Sequence, residues 1–262
     1  MKVFIFADLE GISGVYAKEQ VLSNGSRLSE GRDYLTADVN ACAEGCKMAG
    51  AEKVVVRDGH GISCSLRWDK LSPDVDEAIC GPCGNDRFVG IEEYDAVILL
   101  GYHAMAGTLG GVLEHSMSSS SVQNYWVNGN KIGELGIDAG IAGEHGVPVI
   151  MVSGDDKICA EAKELLPWAK TAQVKKGLTT YGASLLTPEK AHALIRDTAF
   201  RAVKDIKSMK TLVYPSPIVF RVENVERIPL PNVRTKPYIR IIDGRTYEFE
   251  APTMEDALFR AM

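Results

Sequence analysis

Three short apolar segments, each of the kind that forms a buried β-strand, end on residues that can bind a metal ion. They are residues 2–7 followed by Asp8-Leu9-Glu10-Gly11, residues 53–57 followed by Asp58-Gly59-His60-Gly61, and residues 95–100 followed by Gly101-Tyr102-His103. Short apolar runs rich in β-branched residues are typical of strands that are buried on both faces. Any fold of this chain must therefore place strong polar groups at the ends of several buried strands.

Helical patterns alternate with these strands. Residues 33–48 place Leu35, Val39, Ala43 and Cys46 on one face of a predicted helix. Further helices are expected at 135–145, at 156–165 and after Thr187-Pro188, and a further buried strand is expected at 147–152. Residues 125–127 and 131–132 flank Asn128-Gly129, which suits the tight turn of a hairpin. This alternation predicts an α/β fold with a largely parallel sheet that is covered by helices.

The character of the chain changes after about residue 207. Frequent prolines interrupt this part, at Pro215, Pro217, Pro229, Pro231 and Pro237. Residues 238–242 and 246–250 flank Asp243-Gly244, which is a hairpin signal, and Thr253 can cap a last short helix. We therefore expect residues 1–207 to form an α/β catalytic, metal-binding domain and residues 208–262 to form a small α+β domain.

The composition excludes several classes of function. The chain has 262 residues, 45% of them hydrophobic, which is enough to bury a large core. Lys and Arg total 29 against 35 Asp and Glu, so a nucleic-acid partner, which is bound by neutralising phosphates, is not expected. No apolar run approaches the ~18 residues of a membrane helix, and the N-terminus does not resemble a secretory signal. We therefore expect a cytoplasmic protein that binds neither nucleic acid nor membranes.

The six cysteines are expected to be reduced in that compartment. Cys80-Gly81-Pro82-Cys83 has the spacing of a dithiol redox pair. Such pairs normally stand between a strand and a helix, whereas Gly84-Asn85-Asp86 follows here and indicates a loop. A loop with reduced thiols is therefore favoured over a redox site.

The polar residues at the strand ends have the chemistry of a metal site. Asp8 and Glu10 are two residues apart, so an extended chain places both carboxylates on the same side, where they repel each other unless a cation lies between them. His60 and His103 add imidazole nitrogens, and this donor set suits zinc, manganese or cobalt. Taken singly, Asp8 could cap a turn and each histidine could be merely hydrogen-bonded. Their coincidence at three strand ends favours the metal site.

These residues lie in segments that resemble a known family, the zinc D-aminopeptidases associated with bacterial dipeptide-transport operons, which are self-compartmentalising metallo-aminopeptidases. The matching segments occur in family order and at family-like spacing. They are Asp8–Gly14, Asp58–His60, Leu100–Ala104, His115–Met117, Gly133–Gly136 and Val152–Asp156. The resemblance covers nearly the whole chain and is weakest after about residue 210.

The resemblance implies roles for individual residues. The positions that match the ligands of a centre with two zinc ions per subunit are Asp8, Glu10, His60, His103 and Glu134. Asp8 matches the ligand that bridges both ions, and His115 matches the proposed catalytic residue. Without the resemblance, Glu134 would be interpreted as a first-turn acid of a helix and His115 as a loop histidine.

The resemblance also implies a fold and an assembly. It implies an α/β catalytic domain with a smaller second domain, in a ring-shaped homodecamer whose active sites face an internal chamber. The expected function is a metal-dependent aminopeptidase that hydrolyses short peptides, including those with an N-terminal D-amino acid, by a water molecule activated between two metal ions.

Two alternatives remain open at this stage. One is a different two-metal hydrolase, a phosphoesterase or an amidase, because fold and metal do not fix the substrate. The other is a non-catalytic metal-binding protein. The sequence has no P-loop and no arginine cluster near the ligand segments to favour phosphate, and it lacks the Gly-x-Ser-x-Gly element of a serine hydrolase.

Overall fold

The computed structural model describes residues 1–61, 63–84, 86–227 and 229–262. Asn85, in the loop predicted after Cys83, lies outside these residues. The strands are β1 (Lys2–Ala7), β2 (Lys53–Asp58), β3 (Glu77–Ile79), β4 (Ala96–Tyr102), β5 (Val122–Val127), β6 (Asn130–Ile132), β7 (Val149–Gly154), β8 (Lys170–Gln173), β9 (Lys175–Thr179), β10 (Gly182–Leu185), β11 (Ile218–Asn224), β12 (Ile239–Ile241) and β13 (Thr246–Ala251). The helices are α1 (Leu28–Met48), α2 (Glu134–Glu144), α3 (Asp156–Leu165), α4 (Pro188–Lys204) and α5 (Met254–Ala261).

The main sheet has six parallel strands in the order β3-β2-β1-β4-β7-β8. Alternate residues of β1 face two different hydrophobic clusters, as the pleat of a strand requires. Val3 and Ile5 pack in a cluster with α1 and α4, whereas Phe4 and Phe6 pack in one that includes α2 and α3. Both faces of the sheet are thus covered by helices, and the predicted α/β fold is confirmed.

A second sheet has five antiparallel strands in the order β12-β13-β11-β5-β6. Its β5–β6 hairpin turns at Asn128 and Gly129, which have φ values of 51° and 84°, as the predicted Asn-Gly turn requires. Because β5 pairs with β11, this sheet is not confined to the C-terminal part of the chain. The division into residues 1–207 and 208–262 stays a prediction, and one continuous sheet joins its two parts.

The observed helix and strand boundaries agree with the predicted ones in some elements and differ in others. Helix α3 spans the predicted residues 156–165, but α1 begins at Leu28, five residues before its predicted start at 33. Strands β3, β8, β9 and β10 were not predicted, because they are short and carry no continuous apolar run. Within the described parts of the chain, the helices are all too short or too polar to cross a membrane.

The strand order decides where the polar strand ends meet. Strand β1 lies between β2 and β4, and its last residue Ala7 is paired with Asp58 on one side and Leu100 on the other. The three strands are parallel, so their carboxyl ends form one edge, where ligands bind in open α/β sheets. Three of the predicted ligand segments therefore leave the sheet side by side.

Candidate metal centre

The five predicted ligands lie together at this edge. His60 Nδ1 is 3.2 Å from Asp8 Oδ1 and 3.0 Å from Glu10 Oε2. His103 Nε2 is 3.5 Å from Asp8 Oδ2 and 3.3 Å from Glu134 Oε1. Glu134 is the first residue of α2, so the hairpin β5–β6 and the helix that follows it deliver the ligand that is most distant in sequence.

His115 lies against the same cluster. Its ring stacks on the ring of His103 with centroids 4.0 Å apart, and its Nε2 is 3.7 Å from Glu134 Oε1. The two nearby residues Leu113 and Met117 have φ values of 54° and 61°, although neither is glycine. Such left-handed residues are unfavourable and concentrate at functional sites. The backbone N–H of Met117 donates to Glu134 Oε1 at 2.6 Å, which ties this loop to the cluster.

Each of the three histidines pairs one ring nitrogen with a backbone carbonyl. The pairs are His60 Nε2 with Val21 O at 2.9 Å, His103 Nδ1 with Ala104 O at 3.1 Å, and His115 Nδ1 with Leu113 O at 2.9 Å. A ring N–H that donates to a carbonyl fixes the ring so that its other nitrogen faces the carboxylates, where that nitrogen, once deprotonated, can offer a lone pair to a metal ion. Metal-binding histidines are held in this way.

The donor atoms fall into two overlapping groups. Asp8, Glu10 and His103 each offer an atom within 4.8 Å of the others, and so do His103, His115 and Glu134. Glu10 Oε2 is buried and lies 3.0 Å from His60 Nδ1. A mixed set of carboxylate oxygens and imidazole nitrogens suits divalent zinc. The two groups overlap at His103, so the donor atoms form one continuous cluster.

The charges of the cluster depend on one another. Burial opposes ionisation of Glu134, but the neighbouring His103 and His115 outweigh it and lower the pKa to about 2. Burial also disfavours the charged form of His103, yet attraction to Glu134 and Asp8 raises its pKa to about 10. Burial also opposes ionisation of Glu10, but the charge and hydrogen bond of His60 outweigh it and lower the pKa of Glu10 far below its usual value. The carboxylates are therefore held ionised by neighbouring positive charge, which a metal ion also supplies.

Two acids in the family-like segments have structural roles. Asp58 accepts hydrogen bonds from the backbone N–H groups of Ser65 and Leu66, which shapes the loop that carries His60. Asp155 caps α3 and also accepts from Val112 N at 2.8 Å. This second contact anchors the loop that leads to His115.

Arg87 was missed by the sequence analysis. Its guanidinium forms a paired contact with the buried Asp138, and its Nη2 lies 3.8 Å from Glu134 Oε2. Tyr102 OH also donates to Asp138. Arg87 precedes a buried aromatic residue in a loop and stands 51 residues from Asp138, so no local pattern indicated this contact. No arginine cluster adjoins the ligand segments in the sequence, but the fold brings Arg87 to within 3.8 Å of Glu134.

Lys175 was missed as well. It begins β9, is only 2% exposed, and its Nζ contacts the loop that carries Glu10. Burial lowers its pKa to about 8, although Asp155, Asp38 and Glu10 act in the opposite direction. A charged residue followed by another lysine in a short strand has the sequence pattern of an exposed edge, so its burial could not be foreseen.

The centre opens into a cavity of about 1170 Å³. Its walls include Glu10, His60, His115 and Glu134, together with the C-terminal residue Met262. Basic side chains also line it, namely Lys18, Arg32, Lys236 and Arg260. Ligand cavities commonly hold about 300–1,000 Å³, so this one accommodates a short peptide.

The Cys80–Cys83 segment lies in irregular structure directly after β3, so the predicted loop is confirmed for its described residues. Cys42, Cys46, Cys80, Cys83 and Cys159 form no disulfide within the described parts of the chain. Arg57 Nη1 donates to Cys83 Sγ at 3.0 Å and to the carbonyl of Gly81. The segment is thus held by a buried arginine at the end of β2.

Arg87→Met tests the buried ion pair. Asp138 would lose its cation and remain buried, so we expect the free energy of unfolding to fall by about 3–5 kcal/mol in urea titrations. Arg87→Met combined with Asp138→Asn should recover part of this loss, because the amide is neutral and still accepts from Tyr102. The exposed Arg234→Met is the control and should change stability by less than about 0.5 kcal/mol. A double variant no more stable than Arg87→Met would contradict this account.

Comparison with known proteins agrees with this geometry. The family model of the D-aminopeptidases matches residues 1–262. A curated D-aminopeptidase from Bacillus subtilis (strain 168) is 33% identical over 265 residues, which cover 100% of this chain and 95% of that protein. The solved structure of the Zn-dependent D-aminopeptidase DppA from Bacillus subtilis, described as a self-compartmentalizing protease, matches with a TM-score of 0.91 at 31% identity, covering 100% of this chain and 95% of that one. The family expected from the motifs is confirmed, and the chain belongs to the D-aminopeptidase family.

Proposed function

We propose that this protein is a two-zinc aminopeptidase that hydrolyses short peptides with a D-amino acid at the N-terminus. The observation that carries the proposal is the cluster of three carboxylates and two imidazoles at one edge of the sheet, which borders a peptide-sized cavity. The zinc dependence and the D-aminopeptidase activity named for the matching Bacillus subtilis proteins support the choice of metal and of substrate.

We assign the two zinc ions to Asp8, Glu10, His60, His103 and Glu134. Asp8 would be the ligand that serves both ions, because its two carboxylate oxygens face different histidines. Oδ1 lies 3.2 Å from His60 Nδ1, and Oδ2 lies 3.5 Å from His103 Nε2. One oxygen is thus available to each ion.

The residues of the chain divide the chemistry between them. Two zinc ions supply, when bound, Lewis-acid activation of a water molecule and of the scissile carbonyl. The carboxylates of Asp8, Glu10 and Glu134 offset the positive charge of the centre and bind the free amino group of the substrate beside it. His115 keeps Nδ1 bonded to Leu113 O, so its Nε2 can accept a proton and, once protonated, stabilise the developing oxyanion or pass the proton to the leaving amine.

The cavity favours peptides with a free carboxyl terminus. Lys18, Arg32 and Lys236 line the same cavity as Asp8, Glu10 and Glu134, so it offers basic groups to a carboxylate and acidic groups to an amine. Complementary charges of this kind orient a ligand and set its register. A short zwitterionic peptide therefore fits better than a long or blocked one.

We also propose that copies of the chain assemble in the cytoplasm into a ring-shaped homodecamer whose active sites face an internal chamber. The matching DppA is described as a self-compartmentalizing protease, which supports a closed assembly. Leu109, Leu178 and Tyr181 are 93%, 61% and 60% exposed, and their segments adjoin where Gly110 meets Gly177, so an apolar contact surface is present. Sedimentation velocity should give ten times the 28.5 kDa of one chain. A monomer at micromolar concentration would contradict the assembly.

Metal removal and substrate chirality test the activity together. Chelation should abolish hydrolysis of D-alanyl peptides, and added zinc should restore it, because the water and the carbonyl lose their activating charge. The matched L-alanyl peptides are the control and should be cleaved more slowly. Zinc-dependent cleavage of phosphoesters without cleavage of peptides would favour the other two-metal hydrolase. Zinc binding without any turnover would favour a non-catalytic protein.

His115→Ala tests the assigned catalytic role. The variant should bind the same amount of zinc as the unmodified protein but lose about 10²–10⁴-fold in kcat, which is the range for a lost general acid or base. The control is His145→Ala, an exposed histidine at the end of α2. Loss of zinc in His115→Ala would instead place His115 among the ligands, as its contact with His103 and Glu134 allows.

A further inference from the structure

Lys175 is a buried ammonium group that is bound entirely by backbone carbonyls. Its Nζ donates to Glu10 O at 2.6 Å, Ile12 O at 2.9 Å and Val15 O at 2.6 Å. An ammonium group has three N–H donors, so all of them are used. All three acceptors belong to the loop after β1, at least 160 residues away in sequence.

The charge of Lys175 is not matched by an ion pair. In the described parts of the chain, its Nζ forms no salt bridge, and its acceptors are the three carbonyl oxygens. Burying an ammonium group costs several kcal/mol unless hydrogen bonds and opposite charges compensate. A chain that needed only packing at this position would contain an apolar side chain. The reason for a buried charge at this position therefore lies in the loop after β1, whose carbonyl oxygens it binds.

That loop is also fixed by the end of β4, the strand that leads to His103. Gly11 N donates to Gly101 O at 2.7 Å, and a Cβ added to Gly11 would lie 1.9 Å from Tyr102 O. The two backbones are therefore in direct contact, and only glycine permits this approach. Lys175 binds the carbonyl oxygens of Glu10, Ile12 and Val15 at one point. The loop is therefore held both by the end of β4 and by a buried ammonium group.

We propose that Lys175 is a positioning residue of the metal centre, which sets the distance between the Glu10 carboxylate and His103 by gathering the carbonyl oxygens of Glu10, Ile12 and Val15. The role rests on the proposed two-zinc centre. Lys175 contacts neither the substrate nor the reacting atoms, so it acts through the geometry of Glu10. Groups that orient metal ligands in this indirect way typically change metal affinity by about 10–100-fold when removed.

The proposed role requires the positive charge of the Lys175 ammonium group and not only its volume. Without the ammonium group, three carbonyl oxygens would point at one another, and the loop would relax away from β4. Lys175→Ala also leaves room for the missing three carbons and nitrogen of the side chain, which n-propylammonium ion supplies. Uncharged 1-propanol has the same length but cannot donate three hydrogen bonds. Rescue by the first and not by the second separates positioning from simple cavity filling.

The experiment measures zinc affinity by competition with a chromogenic chelator, and thermal unfolding of the metal-free protein. We expect Lys175→Met to bind zinc about 10–100-fold more weakly than the unmodified protein. Its exposed neighbour gives the matched control, Lys176→Met, which should bind zinc normally. In Lys175→Ala, n-propylammonium chloride should restore part of the affinity, whereas 1-propanol should not.

Each other outcome contradicts the proposal. Normal zinc affinity in a folded Lys175→Met, or equal rescue by propanol, would show that the charge does not position Glu10. Metal-free Lys175→Met and Lys175→Ala that both fail to fold would assign Lys175 to the core rather than to the site. If the unmodified protein itself binds no zinc, the two-zinc centre fails and this role fails with it, whereas normal binding with unchanged variants removes only the role of Lys175.

Discussion

The repulsion between buried carboxylates at one edge of the sheet is the constraint on which the rest of the site depends. Asp8, Glu10 and Glu134 lie in one cluster and are nearly buried, so each would be uncharged or unstable without neighbouring positive charge. Basic side chains supply that charge. His60 contacts Glu10 and His103 contacts Glu134, Arg87 Nη2 lies 3.8 Å from Glu134 Oε2, and Lys175 Nζ binds the carbonyl oxygen of Glu10.

The parallel sheet is what brings these groups together. Strand β1 is central, and its neighbours β2 and β4 end at the same edge, so residues about 50 positions apart in sequence meet within a few ångströms. The hairpin β5–β6 then returns the chain to this edge and starts α2 at Glu134. The same hairpin pairs with β11, so the second sheet also forms a wall of the cavity.

The features that could be predicted from the sequence are those with a local signal. Apolar runs identified β1, β2 and β4, and an Asn-Gly pair identified the β5–β6 turn. Arg87 and Lys175 could not be predicted, because their roles depend on contacts with residues at least 47 positions away in the chain. A lysine in a short strand normally lies in solvent, and only the fold buries it. Glu134 was identified through family resemblance, since its position in the first turn of a helix has an ordinary structural explanation.

The most direct test of the central claim is the zinc content of the purified protein, measured by elemental analysis after dialysis against metal-free buffer and again after zinc is supplied. The account predicts about two zinc ions per chain, as a two-metal hydrolase requires, with fewer in an Asp8→Ala variant that lacks the bridging carboxylate. A protein that contains no zinc after supplementation would contradict the assignment of this cluster as a metal centre.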